Sequence, residues 1–186
     1  MNNDKTLIIA AGGVAVSTLE KISDLYDLDN TLYINFSTEI NKEDDHHMMI
    51  NNTGGIVYKN KIPPLTDSSR RSLHKKIQSF NKLILITGLG SNCGTIITNE
   101  LASLTLMKPV NIRVIAFLPF SFECDRRELS LNLVVRLKEK GITIHVIDHE
   151  PNIDHYSAST NNYFEMQTLK AAAIFQNYQR HSHWLS

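Results

Sequence analysis

The amino-acid sequence predicts an α/β fold, in which a Rossmann-like, mainly parallel sheet is covered by helices on both faces. Short apolar runs alternate along the chain with segments whose apolar residues recur at helical spacing. The runs lack the strict alternation of a half-exposed strand, which indicates burial on both faces. Glycine-rich or polar turns follow several runs, and ligands of such sheets bind at the carboxyl ends of the strands.

The first third of the chain predicts a βαβ unit. Residues 5–11 (K-T-L-I-I-A-A) form a buried strand that leads into a turn at Gly12 and Gly13. A helix follows, because apolar residues recur on one helical face over 14–25. Residues 31–36 (T-L-Y-I-N-F) predict the second strand.

Residues 39–66 are the least regular stretch, and we expect a loop with one short edge strand at 56–59. A cluster of acidic residues and histidines, Glu43 to His47, lies in this loop and leaves a metal site open as an alternative. Because neighbouring side chains point in different directions on a helix or strand, adjacent histidines rarely bind one ion. A solvated loop is therefore the favoured interpretation.

The centre of the chain, residues 81–107, predicts a strand, a glycine-rich turn and a helix in that order. The apolar run of 83–86 ends at T-G-L-G-S-N-C-G-T (87–95), after which apolar residues take helical spacing. Backbone N–H groups at the positive end of a helix dipole suit a phosphate group. A tight connection that uses glycine only for its geometry is equally open at this point.

Helices and strands also alternate on either side of this central unit. A basic amphipathic helix begins near Asp67 and ends near Phe80, and its outward cations favour a solvated face over an anion site. Beyond the centre we expect a strand at 110–118, a helix at 126–140 that Gly141 ends, a strand at 142–147, and a last helix from Tyr163 toward Arg180.

Length and composition indicate one globular domain over residues 1–186. Lys and Arg total 19 and balance 19 Asp and Glu, so we expect neither nucleic acid nor a membrane surface as a partner. The sequence shows no signal peptide and no long apolar span, which favours the cytoplasm, where Cys93 and Cys124 are expected to stay free thiols.

Two longer motifs carry a family resemblance. Residues 114–127 (V-I-A-F-L-P-F-S-F-E-C-D-R-R) are similar to a strand that ends in P-F-x-F-E-G before basic residues in FtsZ, the bacterial cell-division tubulin homologue. Residues 86–95 (I-T-G-L-G-S-N-C-G-T) resemble the tubulin signature G-x-G-G-G-T-G-T/S-G. The chain thus resembles the nucleotide-binding, amino-terminal GTPase domain of the tubulin superfamily of cytoskeletal proteins.

The resemblance implies a guanine-nucleotide site that takes GTP or GDP, with Mg²⁺ accompanying GTP. Glu123 matches an acidic residue that meets the ribose, and Arg127 matches a basic residue near the sugar and phosphates. A salt bridge between these two residues, which lie four positions apart, is the structural alternative. The implied cofactor-binding residues are Gly12, Gly13, Gly88, Gly90, Ser91, Asn92, Cys93, Gly94, Thr95, Glu123 and Arg127.

The resemblance also bears on activity and partners. In the family, acidic residues from a loop after the central helix of the neighbouring subunit complete the hydrolytic site, and these 186 residues match only the nucleotide-binding domain that precedes this loop and the second domain. We therefore expect no intrinsic GTPase activity from the chain by itself, unless carboxylates at 43–45 or 148–150 substitute. The implied partners are further copies of the chain, or a full-length tubulin- or FtsZ-like protein.

Three alternative functions remain at this point. The first is a degenerate interaction module that no longer binds nucleotide, because Ser91, Asn92 and Cys93 bring side chains to positions where glycine is expected. The second is a Rossmann-type dinucleotide enzyme, although G-L-G-S-N-C lacks the third glycine of that motif. The third is nucleophilic catalysis by Ser91, Cys93 or Cys124, for which the sequence contains no G-x-S-x-G motif.

Overall fold

A six-stranded parallel sheet forms the centre of the computed structural model of the protein. The structure describes residues 5–36, 44–57, 61–105, 107, 109–148 and 160–180. The strands lie in the order β3-β2-β1-β4-β5-β6, and every pairing between them is parallel. Their bounds are β1 Thr6–Ala11, β2 Thr31–Phe36, β3 His47–Ile50, β4 Lys82–Gly88, β5 Asn111–Phe117 and β6 Thr143–Ile147. The predicted Rossmann-like, mainly parallel fold is confirmed.

Five α-helices cover the two faces of this sheet. They are α1 Gly13–Ser23, α2 Asp67–Ile77, α3 Asn92–Leu104, α4 Cys124–Glu139 and α5 Thr160–Arg180, and a 3₁₀ turn at Ser121–Glu123 precedes α4. Alternate residues of each central strand enter two cores. Ile8 packs with α1 and α5, whereas Ile9 packs with α2, α3 and α4. The strands are apolar without alternation because both of their faces are buried.

The strand order reverses at β1, which pairs with β2 on one side and β4 on the other. Ala11 is level with Thr87, so the turns that follow β1 and β4 leave the sheet side by side. The Gly12 N–H still donates to Ile34 O (3.0 Å), and the Leu89 N–H donates to Phe117 O (2.9 Å). This reversal point is where open α/β sheets hold their ligands.

The edge strand of the irregular region lies at a different place from the predicted one. Residues 56 and 57 are not in a strand, and residues 58–60 lie outside the described part of the chain. The edge strand is His47–Ile50 instead, which pairs in parallel with Tyr33–Phe36. Its two inward residues, Met48 and Ile50, are fully buried, but they follow a charged cluster that masked the strand in the sequence.

Other boundaries differ from prediction by a few residues. Helix α5 begins at Thr160 instead of Tyr163, and α4 begins at Cys124 instead of 126. Helix α2 begins at Asp67 as expected and ends at Ile77, and Thr66 caps it, since the Thr66 hydroxyl accepts from the Ser69 N–H (3.4 Å). None of the helices that the structure describes is both long enough and apolar enough to cross a membrane.

Candidate functional site

The turn between β1 and α1 leaves backbone donors unpaired among the residues that the structure describes. Gly12 caps the helix with φ 88°, a left-handed conformation that favours glycine. The first helical hydrogen bond runs from Val16 N to Gly12 O (3.0 Å), so the N–H groups of Gly13, Val14 and Ala15 precede it. A Cβ at Gly13 would meet no atom within 4 Å. This helix end therefore offers both donors and empty space.

The turn between β4 and α3 satisfies much of its own hydrogen bonding. Ser91 caps α3, and its Oγ accepts from the Gly94 N–H (3.1 Å) and donates to Gly88 O (2.7 Å). Thr95 Oγ1 accepts from the Gly90 N–H (2.9 Å), and the Thr95 N–H donates to Ser91 O (3.1 Å). Two hydroxyl groups thus occupy donors that the resemblance assigns to phosphate.

Two glycines of this turn are required by the packing of the chain itself. A Cβ at Gly94 would lie 2.3 Å from Gly88 O and 2.6 Å from Thr87 Oγ1. A Cβ at Gly90, where φ is +81°, would lie 2.5 Å from Pro119 Cγ. The interpretation that glycine serves tight geometry therefore holds at both positions, whether or not a ligand binds there.

The two turns meet in one cleft. The Cβ position of Gly12 is 3.5 Å from Ser91 Oγ and 3.6 Å from Gly94 N. Two helix N-termini therefore converge, and each carries a partial positive charge. The cleft encloses a cavity of about 380 Å³, whose walls include Gly12, Gly13, Val14, Gly88, Gly90, Ser91, Phe117, Phe120, Glu123, Arg126 and Phe164. Its size lies within the range of about 300–1,000 Å³ typical of small-molecule sites.

Two predicted site residues use their side chains away from this cleft. Asn92 Oδ1 accepts from the Val57 N–H (2.7 Å) and ties the loop that precedes α2 to the start of α3. Cys93 is buried, and its Sγ donates to Ile34 O (3.4 Å). Cys124 is exposed, and both cysteines are free thiols. Burial of Cys93 argues against a role as nucleophile.

The predicted acidic and basic pair takes other partners. Glu123 lines the cleft, where its Oε1 accepts from the Phe120 N–H and its Oε2 pairs with Arg126, both at 3.1 Å. Arg127 grips Asp148 through two hydrogen bonds of 3.1 and 2.6 Å and donates to Pro119 O (2.6 Å). In the described wall of the cleft, the guanidinium therefore belongs to Arg126. The sequence alone does not show which of two adjacent arginines points toward the cleft.

Solved structures share this fold, whereas no protein-family model and no curated protein matches the sequence. An FtsZ dimer of M. jannaschii aligns with a TM-score of 0.70 at 17% identity, over 92% of this chain and 53% of that one. A GDP-bound CetZ monomer of Haloferax volcanii aligns with a TM-score of 0.65 at 13% identity, over 91% and 58%. A TubZ protofilament of Bacillus thuringiensis serovar israelensis, in its GTPγS form, aligns with a TM-score of 0.65 at 14% identity, over 94% and 55%. This chain has a tubulin/FtsZ-like fold.

The tubulin-like fold confirms what the motifs at 86–95 and 114–127 predicted about architecture. The chain spans little more than half the length of the three solved structures it matches. Both motifs lie at the carboxyl ends of strands, β4 and β5, and these ends contribute residues to the cleft.

A second cavity lies between α1 and α5, next to the cleft. Its volume is about 340 Å³, and it shares Gly13, Val14, Phe117 and Phe164 with the cleft wall. No sequence motif indicated that α5 contributes to the site, because the tertiary packing of α5 against α1 brings it there. A ligand held at the glycine turns has room to extend toward α5.

Within the described residues, the cluster of acidic residues and histidines makes hydrogen bonds that stabilise the start of β3. Asp44 Oδ1 accepts from the N–H groups of His46 and His47 (2.8 Å each) and from the His47 ring (2.9 Å). The His47 ring and the His46 N–H lower the pKa of Asp44 to about 2. No group of three potential metal ligands occurs in the described part of the chain. Glu43 and residues 149–150 lie outside it, and Asp148 is bound to Arg127.

Proposed function

We propose that the protein binds a guanine nucleotide, GTP or GDP, in the cleft at the carboxyl end of its sheet. The observation that carries this proposal is the convergence of two helix N-termini on one cavity. The N–H groups of Gly13 and Val14, which line the cleft, are suited to phosphate oxygens, and their donor geometry is already fixed by α1. The solved structures with this fold include one in a GDP-bound form and one in a GTPγS form.

Different residues of the cleft wall contact the phosphates and the ribose of the nucleotide. The α1 turn faces the phosphates, and Arg126, which is more than half exposed, supplies a charge that Glu123 holds at 3.1 Å. The Glu123 carboxylate accepts hydrogen bonds from ribose hydroxyls once Arg126 turns to phosphate. Because Glu123 is the one carboxylate in the described wall of the cleft, Mg²⁺ bound with GTP would take its ligands mainly from phosphate oxygens and water.

We further propose that the protein acts through association, either with further copies of itself or with a tubulin-like partner. Two of the matching solved structures are an FtsZ dimer and a TubZ protofilament. Val14 of the cleft wall is 47% exposed, and Phe122, which stacks on Phe120 of the wall, is 75% exposed, so both are apolar groups that a second protein can cover. We expect the 186-residue chain to release phosphate from GTP only at background rate, because the family resemblance places the hydrolytic carboxylates on a neighbouring subunit.

Isothermal titration calorimetry of the purified chain with GDP and GTP tests the nucleotide proposal, and sedimentation velocity with and without nucleotide tests association. We expect saturable one-to-one binding and a larger sedimentation coefficient with nucleotide. Absence of heat with either nucleotide at millimolar concentration would refute nucleotide binding. An unchanged sedimentation coefficient, with and without an FtsZ-like protein, would refute association.

A second function, an interaction module without nucleotide, is supported by one specific observation. The hydroxyls of Ser91 and Thr95 already satisfy the N–H groups of Gly94 and Gly90. An α3 turn whose N–H groups are satisfied in this way needs no bound anion for its stability. Association without any nucleotide binding in the two experiments above would favour this function.

A further inference from the structure

Strand β6 is an open edge of the described sheet. It pairs with β5 alone among the described strands, and its sequence T-I-H-V-I contains no lysine, carboxylate or proline. Ile147 O accepts from the Leu118 N–H (3.1 Å), so Ile147 directs its backbone groups toward β5. Since successive residues of a strand alternate between its two sides, Ile144 and Val146 direct their N–H and C=O groups to the open side. Natural proteins usually protect such an edge with charge or proline, so an edge without them calls for a partner.

Helix α4 adds exposed apolar residues beside this edge. Leu131 is 45% exposed and Val135 is 53% exposed. They follow Arg127 at i+4 and i+8 on one side of the helix, and the Arg127 guanidinium binds Asp148, directly after β6. That side of α4 therefore lies toward the open edge.

The Arg127–Asp148 contact also sets the two elements level with each other. From that level, α4 takes about 9 Å to reach Leu133, at about 1.5 Å per residue. Strand β6 takes about 10 Å back to His145, at about 3.3 Å per residue. The midpoint between Leu131 and Val135 is therefore level with the middle of β6.

We propose that a second copy of the chain occupies this edge, with β6 antiparallel to β6 about a two-fold axis at His145. Ile144 of each copy then lies opposite Val146 of the other, and the two residues exchange both of their N–H···O bonds. The sheets of the two copies join into one, and the symmetry closes the assembly as a dimer.

The same axis brings the two copies of α4 together. Ile144 packs in the core beneath α4, and Val146 lies on that same face but stays 37% exposed, so α4 lies over the β5–β6 pair and not beyond it. With strands about 4.8 Å apart, the two helix axes come within about 10 Å, which is the separation of packed helices. Leu131 of one copy is then level with Val135 of the other.

The ends of the paired helices carry opposite charges. Glu128 and Lys138 are both exposed, and they lie about equally far from Leu133, on either side of it. The antiparallel arrangement therefore sets Glu128 of each copy level with Lys138 of the other. A strand of another protein would find the same backbone groups without these matched side chains, so the second copy fits this edge better. None of these residues lines the described wall of the nucleotide cleft, so the inference extends the proposed association without resting on nucleotide binding.

Sedimentation equilibrium of the wild-type chain without nucleotide tests the dimer. We expect dimers at about 100 μM, and Val146→Pro should weaken them at least about tenfold. Proline removes a donor at the open edge and no bond to β5, so the fold should persist. Only monomer at this concentration, or an unaltered dimer in Val146→Pro, would overturn the inference. Calorimetry with GDP, and sedimentation with nucleotide, test the proposed function separately.

Charge exchange at exposed positions of α4 tests the interface without disturbing the fold. Lys138→Glu should weaken the dimer about fivefold, because carboxylates then face each other, and adding Glu128→Lys should restore it. Exposed Arg136 lies about 200° round the helix from Lys138, so Arg136→Glu is the matched control and should leave the dimer unchanged. Equal losses in the two single variants, or no recovery in the double variant, would overturn the inference.

A cysteine at the two-fold axis gives the sharpest test of the strand register. In a Cys124→Ser background, which removes the exposed thiol, His145→Cys should form a disulfide between two copies. The Cα atoms of such a pair lie about 4.5 Å apart, within the range of a disulfide. Thr143→Cys, on the same face of β6, should not cross-link, because the axis separates the two copies of Thr143 by about 13 Å. Cross-linking at both positions, or at neither, would overturn the inference.

Discussion

The two glycine turns at the carboxyl end of the sheet differ in whether side chains of the protein accept hydrogen bonds from their backbone N–H groups. At the α3 turn, Ser91 and Thr95 bind the backbone N–H groups of Gly94 and Gly90. At the α1 turn, no described group accepts from the N–H groups of Gly13 and Val14, and Gly13 has empty space beside it. The stretch with the stronger sequence signature is thus the more self-contained of the two.

This difference shows that a glycine in such a motif can be needed for either of two reasons: close packing of the chain against itself, or space for a ligand. Gly94 is glycine because the chain approaches itself within van der Waals distance, and a ligand is not needed to explain it. Gly13 has no such internal reason, so the space beside it is available to a ligand. The predictions below exploit this contrast between a structural turn and a binding turn.

The largest effect is expected from Gly94→Ala. Its Cβ would collide with backbone at Gly88 O, 2.3 Å away, which a side-chain movement cannot relieve. We expect the free energy of unfolding to fall by about 3 kcal/mol, measured by urea denaturation. A loss below about 0.5 kcal/mol would show that the α3 turn is not packed as described.

The next largest effect is expected from Arg127→Ala, which removes the guanidinium that joins Pro119 to Asp148 beside the α3 turn. Hydrogen bonds to charged groups support a loss of about 2 kcal/mol in unfolding free energy. The neighbouring variant Arg126→Ala is the control: its side chain is 63% exposed, so stability should change little while GDP affinity falls. The reverse pattern would favour Arg127, the residue that the sequence predicted, over Arg126 as the nucleotide contact.

Gly13→Ala tests the binding turn. The added methyl group has no atom of the protein within 4 Å, so stability should not fall. The same methyl enters the space assigned to phosphate, and we expect GDP affinity to drop about tenfold, or ~1.4 kcal/mol. Calorimetry and urea denaturation on the same preparation give both numbers. Unchanged affinity would place the phosphates elsewhere.

The smallest effect is expected from Ser91→Ala. Loss of a helix cap lowers the unfolding free energy by about 1 kcal/mol, and it frees the Gly94 N–H at the cleft. Saturating GDP should stabilise this variant more than it stabilises the wild type, because phosphate can then take the vacant donor. Equal stabilisation of both proteins by GDP, measured as a thermal shift, would show that the α3 donors do not reach the ligand.

Most of the fold could be predicted from the sequence because strands that are buried on both faces consist of continuous apolar residues. Strands β1, β2, β4 and β5 are continuous apolar runs ended by glycine or polar residues, so burial on both faces is legible in the residue types. Strand β3 has only two buried residues, which is too few to produce a pattern. Strand β3 lies at the edge of the sheet and pairs with one neighbour only, so four residues are enough to form it.

The candidate site was predictable as backbone and not as side chains. Gly12, Gly13 and the 87–95 turn were located because glycine marks backbone conformation directly. The direction of Arg126 depends on the rotation of α4, and the position of Phe164 depends on how α5 packs on α1. Neither leaves a trace in local spacing, so both became visible only in the folded chain.

Amide chemical shifts of ¹⁵N-labelled protein, followed during titration with GDP, test the central claim most directly. The account predicts saturable shifts that are largest at Gly13 and Val14, where the N–H groups are open, and smaller at Gly90 and Gly94, where hydroxyls already bind them. Shifts confined to the α3 turn would reverse the assignment of the two turns. An unchanged spectrum at millimolar GDP would contradict the claim that this cleft binds a guanine nucleotide.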